Sequence, residues 1–280
     1  MSAPARKSGR YRVTMRAPIH VGEWDGPATA LPAILVHGTL SWASWAFAGQ
    51  RPLARDRRIL LPDRRGFGDS PEPAGGTSDY AVDAVDLLEL MAAAAPHGVH
   101  LVGHSCGGTV TMPAAAARPD LVRSLVLVEP CAHTVAASVP VVAATIEDGR
   151  RFMAGAKEHD PSAYVELAYP TGPRPEPASS LLRAARTALS ERPCWLAEVP
   201  VQALRTAAFG KLVILGGWES EAPGHRPGMA AVMRAVCTSV ATRIGARLAE
   251  VPGARHEPQR EQPAAFNAQL QAFWKSHEGP

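Results

Sequence analysis

The stretch that most constrains this chain runs from Leu101 to Thr109 and reads LVGHSCGGT. Apolar residues from Val99 to Val102 meet Gly103-His104-Ser105-Cys106-Gly107-Gly108, and an Ala-rich segment poor in polar residues continues to Arg118. This order predicts a strand, a tight turn and a helix in immediate succession. Glycines two residues before and two after Ser105 remove Cβ atoms that would collide in such a turn. The serine is therefore expected in strained backbone with its Oγ presented rather than buried.

The rest of the chain repeats the alternation. Tyr11 to Met15 and Ile19 to Trp24 alternate like edge strands, and Gly26-Pro27 ends them. Pro32 to Val36 and Arg58 to Leu61 are short apolar runs, as expected of strands buried on both faces of a parallel sheet, and Ser124 to Val128, Lys211 to Leu215 and Arg247 to Val251 are read as further strands. Between them, Ala81, Ala84, Val85, Leu88 and Met91 recur at helical spacing after Ser78, a candidate N-cap. Met229 to Ile244 reads as a helix, and Phe266, Leu270, Phe273 and Trp274 form the apolar face of a closing one.

From Cys131 to about Thr206 no strand-like run occurs, and helical segments alternate with Pro-rich breaks. The pattern predicts an α/β fold: a mostly parallel central sheet flanked by helices, with an inserted helical cap. The core domain is read as residues 1–130 and 207–280, and the cap, or lid, as 131–206. Replacing residues 134–204 by a linker is expected to leave a core that folds. Ligands of such sheets bind outside the carboxyl ends of the strands. His37, Asp63, Ser105, Glu129, Glu219 and His256 all follow predicted strands and share that edge.

Composition narrows the function classes. The 280 residues can hold one sizeable core with an insertion, or two small domains. A formal net charge of +3, scattered along the chain, does not argue for nucleic acid. No stretch approaches the roughly 18 apolar residues of a membrane span, and the basic N-terminus lacks a signal-like apolar run, so no membrane partner and a cytoplasmic location are expected. Cys106, Cys131, Cys194 and Cys237 fit no zinc or Cys-x-x-Cys spacing and are read as free thiols. No phosphate loop, metal-spaced cluster or dinucleotide fingerprint is present, so no cofactor and no metal are expected.

A serine hydroxyl needs a base within hydrogen-bond reach to act as a nucleophile. Of the ten histidines, His256 stands out because it follows the last strand directly, before the closing helix. His133 and His225 are read as packing or surface residues.

HGTLSW, DRRGFGDS, GHSCGG, LVLVEP and PGARHEPQREQP, each after a predicted strand, together resemble the α/β-hydrolase superfamily across nearly the whole chain. The resemblance implies Ser105 as nucleophile, His256 as general base and an acid between them in chain order. It also implies an oxyanion hole from the backbone N–H groups of Thr39 and Cys106. Thr39 has a hydroxyl where the family often has a large apolar residue; a hydrogen bond to substrate and a packing role both stay open. Serine at the elbow argues against the family's epoxide hydrolases and dehalogenases, which need a carboxylate there.

The expected activity is a serine hydrolase that cleaves a small ester, thioester or lactone through an acyl-enzyme. A lyase, perhydrolase or cyclase using the same triad, and a receptor-like ligand-binding protein, are the alternatives. The partner is a small-molecule substrate, with Trp42 and Trp218 as candidate lining residues. Two carboxylates compete for the acid. Glu219 lies on a Gly-rich loop, whereas Glu129 follows its strand directly and precedes Pro130, which restricts its backbone. A fixed carboxylate loses less freedom on meeting the imidazole, which favours Glu129, with Glu219 as the alternative.

Overall fold

A computed structural model describes residues 16–169, 174–219 and 228–278. The strand read at Tyr11 to Met15, and His225, lie outside the described residues. Seven strands among them form one sheet: β1 (Val21–Trp24), β2 (Ala33–Val36), β3 (Ile59–Pro62), β4 (Val99–His104), β5 (Val122–Val128), β6 (Gly210–Gly216) and β7 (Arg247–Val251). Their order is β1-β3-β2-β4-β5-β6-β7. Only the β1–β3 pair is antiparallel.

The helices are α1 (Ala43–Ala46), α2 (Tyr80–Ala94), α3 (Cys106–Ala117), α4 (Pro140–Gly155), α5 (Pro161–Ala168), α6 (Ala178–Leu189), α7 (Val201–Thr206), α8 (Met229–Ile244), α9 (Pro258–Glu261) and α10 (Pro263–Lys275). The N-cap of α2 is Asp79 and not Ser78: the Asp79 carboxylate accepts the Ala81 N–H at 2.8 Å. Ser78 is instead buried, and its carbonyl accepts the Arg192 N–H at 2.8 Å.

Successive strand side chains point to opposite faces, so the apolar runs fill two cores. Leu101, Leu125, Leu127, Val213 and Leu215 pack with α2, α3 and α8 on one face. Leu35, Val102, Val126, Val128 and Ile214 pack with Phe266, Leu270, Phe273 and Trp274 of α10 on the other. Phe266 is fully buried, and truncating such a side chain to alanine costs about 3–5 kcal/mol.

The stretch between β5 and β6 joins the first core: Val135, Val142, Ile146, Cys194 and Leu204 pack within it. A third cluster sets Val165, Leu181, Ala185 and Ala188 of α5 and α6 against Leu40, in the loop after β2. No described helix is long and apolar enough to cross a membrane.

Candidate active site

Strand β4 and helix α3 meet at Ser105, whose φ of 52° and ψ of −120° lie outside the ordinary regions for an L-residue. The flanking glycines make the turn possible. A Cβ on Gly103 would lie 2.6 Å from the Gly107 carbonyl oxygen, and one on Gly107 would lie 2.7 Å from that of His37. Among the described residues, the non-glycine residues at positive φ are Leu40, Ser105, Glu129 and Trp218, all beyond the carboxyl ends of strands. Backbone in this region costs about 1–3 kcal/mol per residue and persists where surroundings over-determine it.

Three side chains from three strand ends form one hydrogen-bonded chain. The Ser105 Oγ hydroxyl donates to His256 Nε2 at 3.1 Å, and His256 Nδ1–H donates to Glu129 Oε2 at 3.3 Å. Glu129 is fully buried. Its other oxygen, Oε1, accepts the Gly216 N–H at 2.7 Å and the Trp218 Nε1–H at 3.0 Å, so the desolvated carboxylate has donors on both oxygens. Burial pulls the His256 imidazolium pKa down. The hydrogen bond and charge of Glu129, backed by Glu257 and Glu261, outweigh that and hold it above the ordinary histidine value.

Glu219 has a different place. It is exposed, and both its oxygens accept the Gly253 N–H at 3.0 Å, a bond that lowers its pKa.

Two further histidines stay neutral and brace the loops. His104 Nε2–H donates to the His256 carbonyl at 2.8 Å, and burial followed by the His256 charge lowers its pKa to about 3. His37 is fully buried; its Nδ1–H donates to the Gly38 carbonyl at 2.7 Å, and Nε2 accepts the Arg64 N–H at 3.0 Å. Burial and the neighbouring Arg64 charge hold its pKa well below the ordinary value. This ring fixes the backbone that leads into Thr39.

Several expectations need correction. Ser105 is buried, at 5% exposure, rather than presented. Cys131, three residues beyond the end of β5, sets its thiol 3.2 Å from Ser105 Oγ. Cys106 is not a free thiol: it is disulfide-bonded to Cys194 across 88 residues, while Cys131 and Cys237 remain free. The Thr39 hydroxyl donates to Glu191 Oε2 at 2.8 Å, so its proton is committed within the protein. Trp218 is buried, and its indole N–H is used on Glu129 rather than on a substrate wall. Trp42 is buried at the start of α1 and packs on Trp45 with ring centroids 6.1 Å apart.

The residue that sequence reasoning missed is Glu191. It is buried, pairs with Arg64, and through Arg64 joins Asp83, whose Oδ2 accepts Arg64 Nε–H at 3.0 Å. Burial raises the pKa values of both Glu191 and Asp83, against the opposing pull of the Arg64 charge.

Two groups among the described residues bring potential metal-ligand atoms together. In His20, Asp63 and Asp69, the Asp63 carboxylate already accepts the Ala43 and Asp69 N–H groups at 2.8 and 3.1 Å, which makes it a loop staple. The other comprises Cys106, Cys131 and Cys194, two of which form the disulfide.

A strained serine at a strand-to-helix turn, on the carboxyl edge of a mostly parallel sheet and bonded to a histidine, defines the α/β-hydrolase class. The chain belongs to the alpha/beta hydrolase family, whose model matches residues 33–269. It is 34% identical over 137 residues to 2-hydroxymuconate semialdehyde hydrolase of Pseudomonas sp. (strain CF600), a match covering 45% of this chain and 46% of that protein. The chain thus spans less than half the length of the curated relatives it matches.

Among solved structures, the fold is similar to that of a thermophilic esterase from Thermogutta terrifontis, with a TM-score of 0.68, 20% identity, and 93% of this chain and 94% of that one covered. It is also similar to that of Est816, described as an N-acyl homoserine lactone degrading enzyme, with a TM-score of 0.65, 20% identity, and 91% and 96% covered.

Proposed function

We propose that the protein is a serine hydrolase for a small ester, thioester or lactone, acting through an acyl-enzyme. The observation that carries this reading is the continuous chain from Ser105 Oγ through the His256 ring to the buried Glu129 carboxylate. His256 takes the serine proton as Oγ attacks the acyl carbon. Glu129 holds the ring in the tautomer that leaves Nε2 free to accept, and stabilises the imidazolium that forms. The same imidazolium then protonates the leaving group, and water repeats the sequence to release the acid.

The oxyanion is assigned to the backbone N–H groups of Thr39 and Cys106. Among the described residues neither N–H has a protein acceptor, and Cys106 opens α3, where helix N–H groups have no intrahelical partner. Donors of this kind are worth about 2.7–4 kcal/mol each elsewhere. Residues 131–206 are read as a cap over this site. The burial of Ser105 and the closeness of the Cys131 thiol support a short acyl group.

Turnover of a p-nitrophenyl ester series tests the reading. Acetate and butyrate are expected to turn over, with the rate falling towards octanoate. No turnover at any length would remove it.

A further inference from the structure

Both residues assigned to the oxyanion hole are tied to the same short turn of the stretch between β5 and β6. Thr39 donates its hydroxyl to Glu191 Oε2 at 2.8 Å, and Cys106 is covalently bound to Cys194. Glu191 and Cys194 stand three residues apart, between the end of α6 and the 3₁₀ turn at Cys194–Leu196. Glu191 is itself anchored by Arg64, which Asp83 of α2 holds from the other side. Arg64 also gives its backbone N–H to His37 Nε2, so the loop leading to Thr39 and the turn that grips it share one buried ion cluster. Cys194 is 1% exposed and packs in the main core, so the turn is held by the sheet as well as by its bonds.

We propose that the turn from Glu191 to Cys194 is the positioning element of the oxyanion hole: a hydrogen bond from Thr39 and a disulfide to Cys106 fix the distance between the two backbone donors. This rests on the hydrolase reading above, which places those donors. Neither Glu191 nor Cys194 touches the reacting atoms. They act through the residues they hold, and a displacement of about 1 Å at a catalytic group can cost on the order of 10²-fold in rate.

The same geometry makes turnover sensitive to reduction. A dithiol supplies two electrons and two protons; the Cys106–Cys194 S–S bond breaks, both sulfurs become thiols, and the reductant leaves as its cyclic disulfide. The Cys106 end of the hole then loses its tether. Cys131 lies 3.8 Å from Cys106 Sγ, but burial pushes its thiol up to about 11, so it stays protonated at neutral pH and leaves the bridge intact.

The experiment compares kcat and KM for a p-nitrophenyl ester, with thermal unfolding measured in parallel, across the parent chain, Glu191→Ala, Glu191→Gln, Thr39→Val, Cys194→Ala and the Thr39→Val/Glu191→Ala double variant. Glu191→Ala and Cys194→Ala should lower kcat about 10- to 100-fold, with KM within about threefold of the parent. Glu191→Gln should recover only part of the loss, because its amide oxygen can still accept from Thr39 while its NH2 faces Arg64, which loses its ion-pair partner. The double variant should lose no more than its worse single variant, since both act through one bond. Dithiothreitol should reproduce the Cys194→Ala loss in the parent and add nothing to that variant.

Parental kcat in Glu191→Ala and Cys194→Ala, or losses confined to KM, would overturn the proposal. So would four titratable thiols in the oxidised chain, or a mapped Cys106–Cys131 bridge. If Glu191→Ala does not fold, Thr39→Val decides: it should show the same kcat loss, and a normal kcat overturns the role of Glu191. Full activity in Ser105→Ala would instead remove the hydrolase reading beneath the proposal.

Discussion

The carboxyl edge of the sheet and the helical stretch between β5 and β6 meet at Ser105, and they contribute unlike things. The edge carries Ser105, Glu129 and His256, each close behind a strand. Ser105 and Glu129 also adopt a positive φ that the sheet and the neighbouring loops hold in place. The helical stretch supplies none of the three hydrogen-bonded groups. It contributes Glu191 and Cys194, which grip Thr39 and Cys106. A reacting atom needs backbone fixed from several sides, which a strand end provides. A residue that only holds a neighbour can come from a distant stretch, because one buried ion pair or one covalent bond is enough.

The largest expected effect tests whether the two regions separate at all. Replacing residues 134–204 by a linker, which on the sequence pattern alone leaves a folded core, would remove Val135, Val142, Ile146 and Cys194 from the main core and would strip Arg64 of Glu191. Breaking a buried ion pair from one side costs about 3–5 kcal/mol, a large share of the stability of a single domain. The expected outcome is loss of the cooperative thermal transition in circular dichroism. A sharp transition near the parent temperature would show that the stretch is separable.

Next come the edge residues. Ser105→Ala should lower kcat by about 10⁶-fold, the scale of nucleophile loss in serine enzymes. Glu129→Gln should cost about 10⁴-fold, because the ring loses tautomer control, whereas Glu219→Gln should stay within about threefold. A larger loss for Glu219→Gln would reverse the assignment of the acid.

The pH profile sharpens the same point. In the proposed mechanism the base form of His256 is the active one, so kcat/KM should fall as pH drops through a pKa that Glu129 holds above the ordinary histidine value. Removing the carboxylate charge lowers that pKa, so the acid limb of Glu129→Gln should move to lower pH. The smallest expected effect is that of Trp218→Phe. It deletes one of two donors to Glu129 Oε1 and should reduce kcat by about tenfold or less.

What was legible in the sequence divides along the same line. Most of the strands show as apolar runs, β7 being the exposed exception, and the groups beyond them inherit their positions, so Ser105, Glu129 and His256 could be placed on one edge. Glu191 sits in a polar, Pro-flanked segment that reads as surface, and its burial depends on Arg64, which is 127 residues away in sequence. The pairing of Cys106 with Cys194, but not with Cys131, follows from how the helical stretch packs over the elbow, and cysteine spacing carries no such information.

The most direct test of the central assignment is the site of covalent capture. The chain is treated with a small fluorophosphonate at neutral pH, digested and mapped by mass spectrometry. The arrangement around Ser105 predicts a single adduct on the peptide that contains Ser105, absent from Ser105→Ala. An adduct on the neighbouring Cys131, or one that persists in Ser105→Ala, would contradict it.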